Sequence, residues 1–210
     1  MIIIILLFLP LQFMIIHTAY SQINNVSSPN ANNTIQPPPS MIKPKVDLKI
    51  DGTIVDDKIK GGEGDDKLNG KEGDDQLSGG RGDDELDGDE GNDIIKGQQG
   101  NDIIEGDDGN DNLIGERDVD VITGDQGDDK VDGGRGDDHL DGSEGNDVIN
   151  GGEGSDIMIG GLGSDTFICD EFDKMMDFSS VEGDKRIGSC LVIDYNKSNT
   201  TQITRNITIQ

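Results

Sequence analysis

A nine-residue period running without insertion or deletion from Gly61 to Ile168 constrains this chain more than any other property. The twelve units are GGEGDDKLN, GKEGDDQLS, GGRGDDELD, GDEGNDIIK, GQQGNDIIE, GDDGNDNLI, GERDVDVIT, GDQGDDKVD, GGRGDDHLD, GSEGNDVIN, GGEGSDIMI and GGLGSDTFI. Each opens with Gly, carries Asp at its sixth position and an apolar residue at its eighth; eleven have Gly at the fourth. A unit this short cannot bury a face alone, so neighbours must stack and the period is the architecture.

Glycine at positions one and four is expected to give the positive φ values that let six residues form a tight turn. The last three residues then make a minimal strand, with position eight facing inward and positions seven and nine outward. The inward set is Leu68, Leu77, Leu86, Ile95, Ile104, Leu113, Ile122, Val131, Leu140, Ile149, Met158 and Phe167. A solvated acidic tail would have no reason to keep all twelve apolar. Asp at position six brings a carboxylate to the point where turn becomes strand, among turn carbonyls. That set of hard oxygen donors suits calcium, which takes six to eight of them in flexible geometry.

The pattern G-G-x-G-x-D-x-U-x, with U apolar, resembles the RTX, or haemolysin-type calcium-binding, repeat family over about half the chain. The resemblance implies an all-β fold, a calcium-stabilised parallel β-roll (a right-handed β-solenoid) with a small C-terminal β cap. Two units make one coil in that family, so twelve imply about six coils. At a strand spacing of roughly 4.8 Å, the stack would be on the order of 30 Å long. The resemblance also implies that each turn stacks on the turn two units later, with calcium between. One edge would carry Asp66, Asp84, Asp102, Asp120, Asp138 and Asp156. The opposite edge would carry Asp75, Asp93, Asp111, Asp129, Asp147 and Asp165. Six turns leave five gaps per edge, hence a ceiling of about ten Ca²⁺. Asp57, in the imperfect unit Gly52–Lys60, could add a further weak site.

Charge argues in the same direction. The units contain 33 Asp and Glu against seven Lys and Arg, −26 of the chain's −27. Stacked without counter-ions, the turns would set carboxylate beside carboxylate at low dielectric, and that repulsion is costly. Hydrophobic residues make up 31% of the chain and aromatics 3%, too little burial to order a hundred-odd residues unaided. Rival readings fail on particulars. Glycine every few residues excludes the helices of an EF-hand, and all six prolines lie at or before Pro44, which excludes collagen. One unit, GERDVDVIT, has Asp118 in place of glycine and Val119 in place of a small polar residue. Asp tolerates left-handed geometry, so the turn is expected to survive, with weaker binding in the gaps flanking Asp120.

Residues 2–16 are apolar apart from Pro10 and Gln12 and precede Ala19-Tyr20-Ser21, a small-x-small pattern. Residues 1–21 therefore read as a cleaved signal peptide, too short for a spanning helix, and the location as extracellular, secreted or cell-surface associated. No membrane span is expected after cleavage. Residues 22–44 read as a disordered Asn/Ser/Pro-rich linker. Residues 45–60 read as an N-terminal cap with one degenerate repeat, 61–168 as the roll, and 169–210 as the C-terminal cap. Acceptor triplets for N-glycosylation begin at Asn25, Asn32, Asn196, Asn199 and Asn206, all in the flanks. Cys169 and Cys190 are the only cysteines, and either a disulfide in the cap or two free thiols fits. Leu191-Val-Ile-Asp-Tyr and the segment from Ile203 to Ile209 read as short strands.

Catalysis finds no support, and the chain is not expected to be an enzyme. His17 lies in the signal segment, His139 takes an outward position, and no H-E-x-x-H occurs. Two functions fit: a secreted calcium-binding protein with a structural, surface or adhesive role, or a non-catalytic accessory segment of a secreted toxin or hydrolase system. Outward Ile94, Ile103, Val121, Val148 and Ile157 could dock a cell-surface or matrix partner; no nucleic acid is expected to bind. Metal-binding free energy would then be folding free energy. Circular dichroism should accordingly report little β-structure in EGTA and a cooperative gain in millimolar calcium; identical spectra would defeat this reading.

Overall fold

A computed structural model of the chain describes residues 45–193. The signal, linker, glycosylation and Ile203–Ile209 expectations fall outside these residues. Two parallel sheets face one another. One contains β1 (Lys49–Asp51), β3 (Lys67–Glu72), β5 (Glu85–Glu90), β7 (Ile103–Glu105), β9 (Val121–Thr123), β11 (His139–Asp141), β13 (Ile157–Ile159), β15 (Lys174–Met175) and β17 (Leu191–Val192), in that order. The other contains β2 (Lys58–Glu63), β4 (Gln76–Arg81), β6 (Ile94–Gln99), β8 (Asn112–Arg117), β10 (Lys130–Arg135), β12 (Val148–Glu153), β14 (Thr166–Cys169) and β16 (Lys185–Gly188). Successive units therefore alternate between sheets, and each strand pairs with the strand two units on. This is an all-β parallel solenoid.

The register within the repeats is eighteen residues at every rung, as in Leu68↔Leu86 and Leu77↔Ile95. A fixed register stacks like on like, so position eight forms one inward column per sheet. Ile50, Leu68, Leu86, Ile104, Ile122, Leu140, Met158 and Met175 line one sheet. Ile59, Leu77, Ile95, Leu113, Val131, Ile149 and Phe167 line the other. All twelve repeat residues of these columns are at most 2% exposed. Position seven faces out, leaving Ile94, Ile103, Val121 and Val148 exposed and Ile157 half-buried.

The stack is longer than six coils, with nine strands in one sheet and eight in the other. At the N-terminal end β1 and β2 add rungs, and at the C-terminal end β15, β16 and β17 pair in parallel onto the same sheets. For β2 and β15 the physical reason is that Asp, a spacer and an apolar residue persist outside the glycine-rich units, as Asp57-Lys58-Ile59 and Asp173-Lys174-Met175. Strands are also longer than three residues where they continue through the first three positions of the next unit, as in β3 to β6.

Glycine works differently from expectation. Positive φ falls at positions two and four of every unit, not at one and four. Position two is left-handed even where it is Lys71 (φ 88), Gln98 (φ 88) or Glu116 (φ 80). Position one is not left-handed. A Cβ there would overlap the position-six carboxylate of its own unit, as Gly106 would meet Asp111 Oδ2, so a second requirement, space, fixes that glycine.

Leu113→Ala, in calcium, should lower stability by about 2–5 kcal/mol in urea unfolding because the cavity is fully enclosed. Ile103→Ala on the outer face should change it by less than about 0.5 kcal/mol.

Candidate metal centre

Each turn ends on the Asp that immediately precedes the next strand, and these aspartates stack. On one edge the Asp66 N–H donates to Asp84 Oδ1 at 2.7 Å, Asp84 to Asp102 at 2.8 Å, and so on through Asp120, Asp138 and Asp156. On the other, Asp75 donates to Asp93 at 2.7 Å, and the series runs through Asp111, Asp129, Asp147 and Asp165. The twelve residues marked out in the sequence are thus brought together as two continuous ladders. Each is at most 2% exposed.

Only one oxygen of each carboxylate is used this way. The Oδ2 atoms of all twelve are buried and have no hydrogen-bond partner among the described residues. Burying an ionised carboxylate with an unmatched oxygen is costly; a proton or a cation must offset it. Burial accordingly pushes the Asp120 carboxyl up to about 8, with the neighbouring Asp102, Asp138 and Asp118 charges adding to it. Asp84, Asp111, Asp147 and Asp156 rise to about 7, and Asp93, Asp102, Asp129 and Asp138 to about 6, burial leading in each case. The backbone N–H donor opposes the rise and loses.

Carbonyl oxygens complete the surroundings. A Cβ on Gly109 would overlap the Gly91 carbonyl of the turn before it, and one on Gly106 would lie 2.7 Å from the Gly124 carbonyl of the turn after it. Carboxylate and carbonyl oxygens, with no ion pair to a ladder aspartate among the described residues, form a donor set for a hard divalent cation.

Residues 51–167, more than half the chain, match the model of the RTX calcium-binding nonapeptide repeat. The chain belongs to the RTX calcium-binding repeat family. No curated protein matches it. The RTX repeats here are calcium-binding repeats folded as a solenoid, and the stacked aspartates fit that ion.

Three further aspartates close the RTX ladders. Asp156 donates to Asp173 Oδ1 at 3.1 Å, and Asp165 to Asp184 Oδ1 at 3.0 Å. At the other end Asp57 donates to Asp75 at 2.6 Å. Their second oxygens are satisfied by the protein. Asp173 Oδ2 accepts from the Asp170 N–H and Asp184 Oδ2 from the Ser179 N–H, each at 2.7 Å; Asp57 Oδ2 accepts from the Thr53 N–H and hydroxyl, both at 2.7 Å. Asp57 is therefore a ladder terminus whose Oδ2, the oxygen left unmatched in the repeat aspartates, already accepts two hydrogen bonds. Sequence reading assigns Asp173 and Asp184 to the closing segment but not to the ladders, because their spacings from the repeat, 17 and 19 residues, leave the period. The surviving Asp-Lys pair before each strand was the available signal.

A shallower ladder runs beside the first in the opposite sense: Asp83 donates to Asp65 Oδ1 at 2.8 Å and Asn101 to Asp83 at 2.8 Å. Val119 offers no acceptor, so this outer ladder skips the rung above it, while Asp120 keeps its 2.8 Å bond to Asp138. Asp118 takes up the left-handed turn in glycine's place (φ 76). Asp87, Glu105 and Asp107 also converge outside one ladder, with carboxylate oxygens within 4.8 Å. Burial, and then a hydrogen bond with Asp87, push Asp107 up to about 7.

Carboxyls raised in the folded chain stabilise it below their unfolded value near 4, and that contribution is lost as pH climbs through the folded values of about 6 to 8. Metal-stripped protein should gain β-structure by circular dichroism as pH falls from 8 to 4. A loss over that interval would contradict the buried ladders.

Proposed function

We propose that the chain is a secreted calcium-binding protein in which the two ladders, Asp66 to Asp156 and Asp75 to Asp165, hold Ca²⁺ between successive turns and thereby fold the roll. The observation that carries this reading is the set of twelve buried Oδ2 atoms without a partner among the described residues. Each carboxylate uses one oxygen to fix the next turn in register and presents the other to the gap between turns. A bound calcium ion supplies the positive charge that the gap lacks. The protein positions the oxygens, excludes water from the carboxylate and, through the glycines at position one, leaves room for it. Because the ligands must be deprotonated, calcium uptake releases the protons that burial otherwise retains.

Five gaps per edge set a ceiling of about ten ions. The function is structural or interactive, not catalytic. Ile103 and Val121, adjacent and both exposed, give one outer face an apolar strip suited to a surface or matrix partner. The apolar segment before Ala19-Tyr20-Ser21 and the pairing of the two cysteines support export. Outside the cell, calcium reaches the millimolar range at which such modules work.

Isothermal titration should find about ten calcium ions per chain, with proton release dependent on buffer. Asp111→Asn, which keeps the Oδ1 acceptor and removes the charge, should lose about two ions, those on either side of its turn. Asp57→Asn should leave the count unchanged. An unaltered count in Asp111→Asn would defeat the ladder assignment.

A further inference from the structure

The C-terminal end of the roll is closed by one covalent loop. Cys169, the last residue of β14, is joined to Cys190, which is 5% exposed and belongs to the core; the Cα atoms lie 5.5 Å apart. Within the 21-residue separation lie both residues that terminate the ladders at this end, Asp173 beneath Asp156 and Asp184 beneath Asp165. The same loop supplies Phe178, whose ring packs on Phe167 with centroids 6.2 Å apart. It also carries Asp177, whose two oxygens accept from the Gly160 and Gly161 N–H groups at 2.9 and 2.7 Å.

Every carboxylate the loop applies to the roll is thus matched by backbone donors. Asp173 and Asp184 each spend one oxygen on the loop's own backbone and the other on the last repeat turn of their edge. This is the reverse of the repeat aspartates, which each keep an oxygen unmatched. The loop ends both ladders, and it fixes the Asp156 and Asp165 N–H groups that the final turns would otherwise leave without acceptors.

We propose that the Cys169–Cys190 disulfide is a redox-responsive terminator of both carboxylate ladders, and that forming it raises the chain's affinity for calcium. The proposal rests on the calcium-binding reading above. The two thiols lose two electrons and two protons to a small-molecule disulfide such as oxidised glutathione, which becomes two thiols. Closing the loop restricts where Asp173 and Asp184 can lie before any metal binds. The last turns are then held in the geometry that an ion requires, and stacking passes this order to the next turn. Without the bond, calcium must also bear the cost of ordering the loop.

The test uses the full chain, oxidised and after reduction, titrated with calcium and followed by calorimetry and circular dichroism. The half-saturating calcium concentration should be roughly tenfold higher for the reduced chain, the size of an ordinary coupling between two sites. Coupling is reciprocal, so in a glutathione redox buffer saturating calcium should shift the disulfide equilibrium toward the oxidised form. Thiol labelling reads this without relying on the calcium signal. Asp173→Ala with Asp184→Ala, disulfide intact, should bring the oxidised midpoint close to the reduced one and abolish most of the redox dependence.

Equal midpoints with and without the bond, or a disulfide equilibrium indifferent to calcium, would overturn the proposal and leave calcium binding standing. An undiminished redox effect in the double alanine variant would overturn the role of the ladder ends. No calcium uptake by the oxidised chain would remove the functional reading itself. Cys169→Ser with Cys190→Ser should reproduce the reduced midpoint; if that variant fails to fold, the chemically reduced native chain gives the same comparison.

Discussion

The hydrogen bond from one aspartate N–H to the Oδ1 of the aspartate one coil on is the contact from which the rest of the structure follows. It does two things that pull against each other. It ties each turn to the next and so fixes an eighteen-residue register. It also draws a carboxylate into a place where water cannot reach its second oxygen. The gain in order carries an electrostatic debt, and the debt recurs once per nine residues. A chain of ordinary composition would avoid it by using Ser or Asn at this position. Retaining a full charge is reasonable only where another charge is available to meet it.

The hydrophobic core cannot settle that debt. It is two columns of single side chains, one residue per unit, with no aromatic residue before Phe167 among the repeats. Such a core selects which face points inward and little more. Stability then resides in the edges, where the turns, their carboxylates and their cations meet. Stacked repeats contribute nearly independently, each through its own neighbours. The disturbance at Val119 illustrates this: it removes an acceptor from the outer ladder, while the inner ladder passes through Asp120 unbroken.

Much of this was legible in the residues. The period gave the stacking, position eight gave the core, and position six placed the twelve aspartates on their edges. What stayed hidden was hidden for physical reasons. Lys71, Gln98 and Glu116 give no sign of a left-handed backbone, because that conformation is imposed by the turns stacked above and below, against local preference. The role of glycine at position one depends on where the carboxylate five residues later folds back, which is a matter of space and not of φ. The final ladder positions were missed because Asp173 and Asp184 are one residue early and one residue late, whereas the strand expected at Leu191 is β17. Strand pairing tolerates such slips when the connecting loop absorbs them; a periodic search does not.

The alternation between two sheets has a consequence for how such a chain can change length. Removing or duplicating eighteen residues returns every downstream residue to its own sheet and its own edge. Removing nine keeps Gly, Asp and the apolar residue in place but transfers everything downstream to the opposite face. Ile103 and Val121, now neighbours on one outer surface, would stay together only if both moved. The scaffold is indifferent to such an exchange, whereas any surface pattern that spans the cut is divided. Growth by paired units preserves a binding face, and growth by single units shuffles it.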